Sequence, residues 1–443
     1  MTRLRRDLSE LLRLAVPVVG SRLGVMAMGL TDTVVVGRFS ATELGYMALG
    51  WAPTAVVLTT AIGLLSGVQV MTARAIGRGR PEATGAVLRR GMAYAIGLGL
   101  VATALLEAFG PALIRLSGVE ADLAEGAGRT LRIFALSLTL STAATAASSW
   151  LEAVGRPGAA TTAMWVANAF NLALDLVLVP GGFGLTAMGA AGAAWATFAA
   201  RIVLIALLVG FVLRTPHGRG LLGRPPRDRA AEAEQRRIGY AGGGALFAET
   251  AAFAGMNIVA GWVGGLTVAG WSIVLNLAAI IYMTPLGLAM AASVLVARAH
   301  GAEDWRRVES AGAVGLGVTA AATAAASLAV WLAAGPIAAG YARDPALIAL
   351  VRPALVLACL FFVADGLQAV ASQMLRACGD VWLPTAVQVA SYGVVMLPLG
   401  WALALPAGLG LNGIVWAVTA ASFMSAGLLV ARFAWVARPA RVG

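Results

Sequence analysis

Twelve apolar stretches, each long enough to cross a lipid bilayer as a helix, constrain this chain more than any other feature. A spanning helix needs about 20 predominantly apolar residues, and none of the stretches alternates as a barrel strand would. Only 12% of the residues are charged, which is too few to cover the water-exposed surface of a soluble protein of this size. The chain is therefore predicted to be an all-α polytopic membrane protein. The predicted spans are 11–36, 46–72, 86–109, 128–152, 158–180, 187–213, 238–263, 270–297, 309–334, 346–374, 381–405 and 410–435.

The longest polar stretch separates the sixth span from the seventh and divides the chain into two halves of six helices. It reads RTPHGRGLLGRPPRDRAAEAEQRR and is rich in Arg, Pro and Gly. The predicted domains are therefore an N-lobe at 1–213, a basic cytoplasmic linker at 214–237 and a C-lobe at 238–443.

The distribution of arginine predicts the orientation of the chain in the membrane. All 32 Lys-or-Arg residues are arginine, and an even number of spans places both termini on one side. On that side lie 24 arginines, and the opposite side has 6. The positive-inside rule then predicts cytoplasmic N- and C-termini in a cytoplasmic (inner) membrane. Clustering at helix ends, with no interleaved aromatic residues, argues against a nucleic-acid partner.

An internal repeat indicates that the two halves are copies of one unit. Three motifs recur in order: Ala73-Arg74-Ala75-x-Gly77 as Ala297-Arg298-Ala299-x-Gly301, Leu151 and Gly155 as Leu375 and Gly379, and Gly189-x-x-Gly192-x-x-Trp195-Ala196 as Gly410-x-x-Gly413-x-x-Trp416-Ala417. The first two recur at one common offset in residue number, and the third recurs at a slightly smaller offset because a loop is shorter. Copies of the same topology predict two six-helix lobes related by a pseudo-two-fold axis along the membrane normal, with a cavity between them.

Four carboxylates interrupt the apolar spans, namely Asp32, Asp175, Glu249 and Asp365. A charge at the bilayer centre costs at least roughly 2.5–3.5 kcal/mol on insertion scales, so such a residue is a functional candidate by default. The acids do not follow the repeat, because Met256 occupies the position in the second half that is equivalent to Asp32. The duplicated scaffold is therefore expected to carry different chemistry in its two halves.

Three polar residues of the fifth span accompany the N-lobe acids. Asn168, Asn171 and Asp175 are spaced by three and four residues, so they share one helical face. Carboxylate and amide oxygens could hold a proton or a hard cation, and a Na⁺ site at Asp32, Asn171 and Asp175 is one prediction. The alternative is a hydrogen-bonded packing cluster.

The C-lobe acids lie near the middle of their spans, and Gln368 lies one turn from Asp365. A proton relay or cation site at Glu249 and Asp365 is favoured over a structural role.

Three further charged residues have weaker interpretations. Glu152 is near a span end, where interfacial solvation is expected. Arg22 is expected to extend toward the cytoplasm, and Arg201 is expected to neutralise a buried acid.

Enzymatic chemistry is not expected. The two cysteines and two histidines form no metal-ligand pattern, and no nucleophile–base pair is visible. No cofactor is predicted, and the chain is expected to act as a monomer.

Several segments together resemble the multidrug and toxic compound extrusion (MATE) family, over nearly the whole chain. They are LAVPVVGSRLGVMAMGLTDTVVVGRF, VQVMTARAIGRGR, LEAVGRPGAATTAMWVANAFNLALDLV, MGAAGAAWAT, PLGLAMAASVLVARAHGAED, DGLQAVASQMLRACGDVWLP and GLNGIVWA. The resemblance implies twelve helices in two lobes, alternating access, and export of organic, often cationic, compounds in exchange for H⁺ or Na⁺.

The resemblance also assigns roles to individual positions. The family's N-lobe coupling residues match Asp32, Asn171, Asp175 and Thr197, and its C-lobe cation sites match Glu249 and Asp365. Some members carry a Tyr one turn before the second C-lobe acid, where this chain has Phe361.

The hypothesis is a secondary active multidrug efflux antiporter that moves small-molecule drugs or toxic organic cations across the lipid bilayer. A weaker prediction assigns to the substrate cavity the residues Asn168, Met28, Met256, Gln368 and Tyr282. The alternative is a flippase for a lipid-linked precursor or polysaccharide. Twelve helices and mostly acidic buried charges favour drug export.

Overall fold

The computed structural model describes residues 2–116, 118–182, 184–223 and 228–438, and it is helical without strands in these ranges. Eleven helices here are long and apolar enough to cross a membrane. A twelfth span consists of two helices that meet at a bend of 40°. The prediction of a twelve-helix polytopic membrane protein is confirmed.

Each predicted span corresponds to one helix or bent helix pair. The helices are α1 (Thr2–Phe39), α2 (Ala41–Leu64 and Ser66–Gly77), α3 (Thr84–Leu116), α4 (Ala121–Leu136 and Leu138–Ala153), α5 (Pro157–Leu178), α6 (Gly189–Leu213), α7 (Arg229–Val263), α8 (Gly265–Gly301), α9 (Trp305–Tyr341), α10 (Pro345–Ala377), α11 (Trp382–Ala404) and α12 (Gly410–Val436).

The chain divides into two compact units whose boundaries lie inside helices. The N-unit is Gly20–Gly243, and the C-unit combines Met1–Val19 with Gly244–Gly443. The sequence-based boundaries 1–213, 214–237 and 238–443 differ from this division, and the end of the proposed linker, from Arg229, is the beginning of α7. An apolar run marks where a helix lies, but it does not show which unit each end of the helix packs against.

One central helix organises each unit. α4 packs against α2, α3 and α6 in the N-unit, and α10 packs against α8, α9 and α12 in the C-unit. Both are rich in Ala where they are most buried. Small side chains let neighbouring backbones approach closely, which matters in a bilayer, where the hydrophobic effect does not drive helices together.

We call the first segments of α1 and α7 (residues 4–19 and 229–243) the arms. Each arm packs closely against a glycine of its unit, and the internal repeat contains both glycines. In the C-unit, a Cβ on Gly287 of α8 would lie 2.9 Å from the backbone of Val19. In the N-unit, a Cβ on Gly63 of α2 would clash with the carbonyl of Gly242. Gly63 and Gly287 occupy equivalent positions of the repeat, so the duplication preserves this close crossing.

Each arm is also held by an ion pair that follows the repeat. Arg298 Nη1 lies 3.5 Å from Glu10 Oε1 in the C-unit, and Arg74 Nη1 lies 3.4 Å from Glu234 Oε1 in the N-unit. The two acids occupy equivalent positions of the repeat, and so do the two arginines. Arg307 adds a second, shorter contact to Glu10 at 2.7 Å. The attachment of the arms is therefore a duplicated feature, unlike the buried acids.

We expect reversal of either charge in the Arg74–Glu234 pair to destabilise the protein, because like charges would meet where the arm packs. The double variant Arg74→Glu/Glu234→Arg should recover much of this loss, with a coupling energy on the order of 1 kcal/mol. Thermal unfolding of detergent-purified protein measures the effect. The control is the same exchange in the pair of Glu232 and Arg236, one turn apart on α7 at 3.9 Å, where about 0.3–0.5 kcal/mol is expected. A double variant no more stable than its single variants would contradict the pairing.

Candidate functional site

In the N-unit, three helices bring the predicted polar residues together. Asp32 lies on α1, Asn171 and Asp175 on α5, and Thr197 on α6, and all four are buried. Thr197 Oγ1 donates a hydrogen bond to Asp32 Oδ2 at 3.0 Å. The side chains of Asp175 and Asn171 are also close enough to Asp32 for hydrogen bonding. The structure thus assembles the residues that the sequence placed on separate spans.

The polar face of α5 points into the N-unit. Asn168, Asn171 and Asp175 are buried, whereas Trp165, on another face of the same helix, is 48% exposed. Asn168 Nδ2 donates to the carbonyl of Gly24 at 2.7 Å and so ties α5 to α1. A polar stripe on a membrane helix must face protein or water, because lipid offers it no hydrogen-bonding partner.

Several polar atoms in this cluster have no hydrogen-bond partner among the described residues. They include both carboxylate oxygens of Asp175, both amide atoms of Asn171 and Asp32 Oδ1. Two neighbouring carboxyl groups can hydrogen-bond to each other only if one of them carries a proton. A buried polar group without a partner costs about 1–3 kcal/mol and a charged one costs more. Oxygen atoms in this position can accept a proton or bind a small cation.

Arg201 on α6 is the buried cation of this cluster, and it interacts electrostatically with Asp32. Within the described residues, no group of three His, Cys, Asp or Glu side chains could hold a metal ion. Oxygens from Asp32, Asn171, Asp175 and Thr197 are hard donors that suit Na⁺ rather than a transition metal.

In the C-unit, Asp365 on α10 accepts two hydrogen bonds on the same oxygen. Tyr392 Oη donates to Asp365 Oδ1 at 3.0 Å, and Gln368 Nε2 donates to it at 3.3 Å. Glu249 on α7 is buried and interacts electrostatically with Asp365. One of its oxygens, Oε2, has no hydrogen-bond partner among the residues described. The second predicted acid pair is therefore also assembled within one unit.

Tyr392 is a site residue that the sequence analysis missed. Phe361, one turn before Asp365, is buried and packs edge-on against Phe362 at 4.8 Å. The hydroxyl reaches Asp365 from α11 instead, within a π-helical segment, Val389–Met396. Such π-helical turns often occur at functional sites. The sequence feature that could have pointed to Tyr392 is a pair of polar residues, Gln388 and Tyr392, at helical spacing in an apolar span.

Arg376 is a second missed residue, because its place near a span end puts it with the arginines expected on the cytoplasmic side. It is only 2% exposed, and its guanidinium donates to Ser372 Oγ at 3.0 Å and to Gln388 Oε1 at 2.9 Å. Gln388 Nε2 in turn donates to Gln368 Oε1 at 2.8 Å. A continuous chain of hydrogen bonds therefore links Arg376 to Asp365.

The interpretation of Glu152 as an interfacial, solvated acid was wrong. Glu152 is 2% exposed and accepts hydrogen bonds from Arg22 Nη2 at 3.4 Å and Gln69 Nε2 at 3.2 Å. Arg22 is also buried, so it does not extend into solvent as expected. Position along a span is a poor guide to burial, because other helices can cover a span end.

The residues assigned to a substrate cavity lie in different surroundings. Met28 and Met256 belong to the hydrophobic cores of their units, so ordinary helix packing accounts for both. Tyr282 lines a small cavity of the C-unit together with Arg376 and Gln388. Gln368 belongs to the hydrogen-bond chain described above.

Comparison with known proteins places this arrangement in a family. The sequence profile of the MatE family matches residues 17–177 and again residues 243–402, once in each half. The chain is 51% identical over 429 residues to "Probable multidrug resistance protein NorM" of Caulobacter vibrioides, covering 96% of this chain and 91% of that protein.

Solved structures share the fold over almost the full length. The eukaryotic MATE transporter AtDTX14 superposes with a TM-score of 0.89 at 19% identity, covering 99% of both chains. A multidrug resistance MATE family transporter in an outward-facing conformation gives a TM-score of 0.89 at 20% identity, over 97% of this chain and 96% of that one.

We expect Arg22→Met to destabilise the protein by about 3–5 kcal/mol, because it leaves the buried Glu152 carboxylate without its counter-charge. Adding Glu152→Gln should recover most of this loss. Unfolding in detergent, followed by tryptophan fluorescence, measures both. The matched control is Arg132→Met, which breaks a largely exposed pair with Glu107 at 3.8 Å and should cost less than about 1 kcal/mol. Equal stability of the single and double Arg22 variants would contradict the role of Glu152.

Proposed function

Because this chain belongs to the MatE family, the MATE transporters, we propose that it exports organic cations in exchange for H⁺ or Na⁺. The proposal covers the transported compounds and the coupling ion. Membership itself establishes a multi-pass membrane transporter rather than an enzyme. The first observation in support is the unsatisfied carboxylate of Asp175 beside Asp32 in the N-unit.

The two acid pairs differ in how many of their carboxylate oxygens have hydrogen-bond partners in the protein. Among the described residues, three buried oxygens of the N-unit pair have no hydrogen-bond partner, namely both of Asp175 and one of Asp32. The C-unit pair has one such oxygen, Glu249 Oε2, and Asp365 has two donors on one oxygen. A cation gains most where it replaces missing partners, since an unpaired buried charge is the costlier state. We therefore assign the main coupling site to Asp32, Asn171, Asp175 and Thr197.

The proposed cycle uses competition between the ion and the drug. An external H⁺ or Na⁺ binds at Asp32 and Asp175 and cancels one negative charge of the pair, which weakens the attraction for a cationic compound and releases it outside. The transporter then changes conformation, the ion leaves toward the cytoplasm, and a new cationic compound binds. A ligand can drive such a change only through its different affinities for the two states.

The orientation and the assembly state belong to the same proposal. The arginine asymmetry supports cytoplasmic termini in the inner membrane. One chain holds both copies of the duplicated fold and both acid pairs, so a monomer contains every residue that the cycle uses.

We expect Asp32→Asn to abolish ion-coupled export, with at least a roughly tenfold lower rate of ethidium transport, because an amide cannot exchange a proton or neutralise a cation. Thr197→Val should weaken coupling to a smaller extent, because it removes only the hydrogen bond to Asp32. Proteoliposomes under an imposed pH gradient and, separately, an imposed Na⁺ gradient provide the measurement.

The control is Glu107→Gln, which neutralises a partly exposed acid near the end of α3 and should transport as the unmodified protein does. Undiminished drug/ion exchange in Asp32→Asn would refute the assigned role. Movement of a lipid-linked anionic precursor without drug transport would instead support the flippase alternative, which the acidic character of both sites disfavours.

A further inference from the structure

We propose that Arg376 is a built-in cation that competes with the coupling ion for Glu249 and Asp365, and so sets how tightly the C-unit holds that ion. This inference rests on the proposed ion-coupled export and deepens it. It concerns a residue that lies outside the matched coupling positions.

The position of Arg376 is that of a fixed internal charge. Its guanidinium is held on α10 by Ser372, one turn earlier, and on α11 by Gln388. The side chain is almost fully buried, and an arginine stays protonated across the physiological range. A permanent positive charge therefore lies within the C-unit, away from water that would screen it.

Two amides connect this charge to the acids. Gln388 donates to Gln368, and Gln368 donates to Asp365, while Arg376 interacts electrostatically with Glu249. Amide side chains can both donate and accept, so they can reorient without losing all their partners. The guanidinium can therefore act on Asp365 through the two amides and on Glu249 through its electrostatic interaction.

A small cavity lies beside Arg376. Its volume is about 10 Å³, close to the least that holds one water molecule, and its polar lining is Tyr282, Ser372, Gln373 and Gln388. The cavity adjoins the guanidinium and the amide of Gln388, the two groups that would have to shift when a cation binds or leaves.

The internal repeat shows that this charge is specific to the C-unit. Arg376 occupies the repeat position equivalent to Glu152, and Leu246 occupies the position equivalent to Arg22. In the N-unit the buried acid at this position is neutralised locally by Arg22 and accepts a further hydrogen bond from Gln69. In the C-unit the sign of the charge is reversed and the equivalent of its partner is a leucine. The Arg376 guanidinium instead interacts electrostatically with Glu249 and Tyr282, and Glu249 is an acid of the candidate site.

The titratable and charged groups that face this network come from four helices. They are Glu249 on α7, Tyr282 on α8, Asp365 and Arg376 on α10, and Tyr392 on α11. Arg376 is the cation that interacts electrostatically with Glu249. A neighbouring positive charge in a protein interior lowers the affinity of an acid for another cation, on the order of tenfold.

The test compares two replacements of Arg376, one that removes the positive charge and one that keeps it. In ion-binding titrations of the detergent-purified protein, Arg376→Gln should bind the coupling ion more tightly. We expect either an approximately tenfold lower half-saturating Na⁺ concentration or a half-maximal pH about one unit higher. Arg376→Lys keeps the charge but loses the two-pronged hydrogen bonding, and it should remain close to the unmodified protein. Unchanged ion affinity in Arg376→Gln, or equal shifts in the Gln and Lys variants, would overturn the proposal.

A matched control neutralises another arginine of the same unit. Arg432→Gln removes a partly exposed charge that is paired with Asp380 at 2.7 Å, and it should leave the ion affinity unchanged. If Arg376→Gln does not fold, the double variant Arg376→Gln/Glu249→Gln removes both buried charges. The remaining acid, Asp365, should then still show tighter ion binding than it shows in Glu249→Gln alone, and equal binding would overturn the proposal.

A binding measurement separates this proposal from the proposed function. Infrared difference spectra of the detergent-purified protein follow protonation of buried carboxyl groups as pH is varied, and ²²Na⁺ binding follows the other ion. If transport proves indifferent to both gradients, the proposed function fails, while these spectra still compare Arg376→Gln with Arg376→Lys. Identical titrations in both variants and the unmodified protein would overturn the role of Arg376.

Discussion

A bilayer offers no water to a buried charge, so each charged group within this fold depends on a partner supplied by another helix. Glu152 shows the fully paired case, with Arg22 and Gln69 as donors. Asp175 shows the opposite case, since neither of its oxygens has a hydrogen-bond partner among the residues described. The contrast separates a charge that holds helices together from a buried acid that its neighbours leave unsatisfied.

Much of the fold could be predicted from the sequence, because a membrane leaves few choices to an apolar segment of about 20 residues. The twelve spans and the duplication both appear in the structure. The unit boundaries did not follow from the sequence, because hydropathy is continuous through Gly20 and Gly244 and only packing reveals where a helix passes from one unit to the other.

The candidate sites were partly predictable for a similar reason. Asp32, Asp175, Glu249 and Asp365 stand out because acids are rare in apolar spans. Tyr392 and Arg376 were missed because their side chains have common roles elsewhere, as an interfacial aromatic residue and as a cytoplasmic charge. Their roles depend on distances between helices, such as the 3.0 Å from Tyr392 to Asp365, and spacing within one helix carries no such information.

The duplicated arms have a consequence for the order in which the chain can assemble during synthesis. The arm of α7 emerges after α2, so its partners Gly63 and Arg74 already exist when it is made. The arm of α1 is made before its partners Gly287, Arg298 and Arg307, which belong to helices made much later. The same attachment can therefore form at once in one half, whereas in the other half it has to wait for helices that are still to be made.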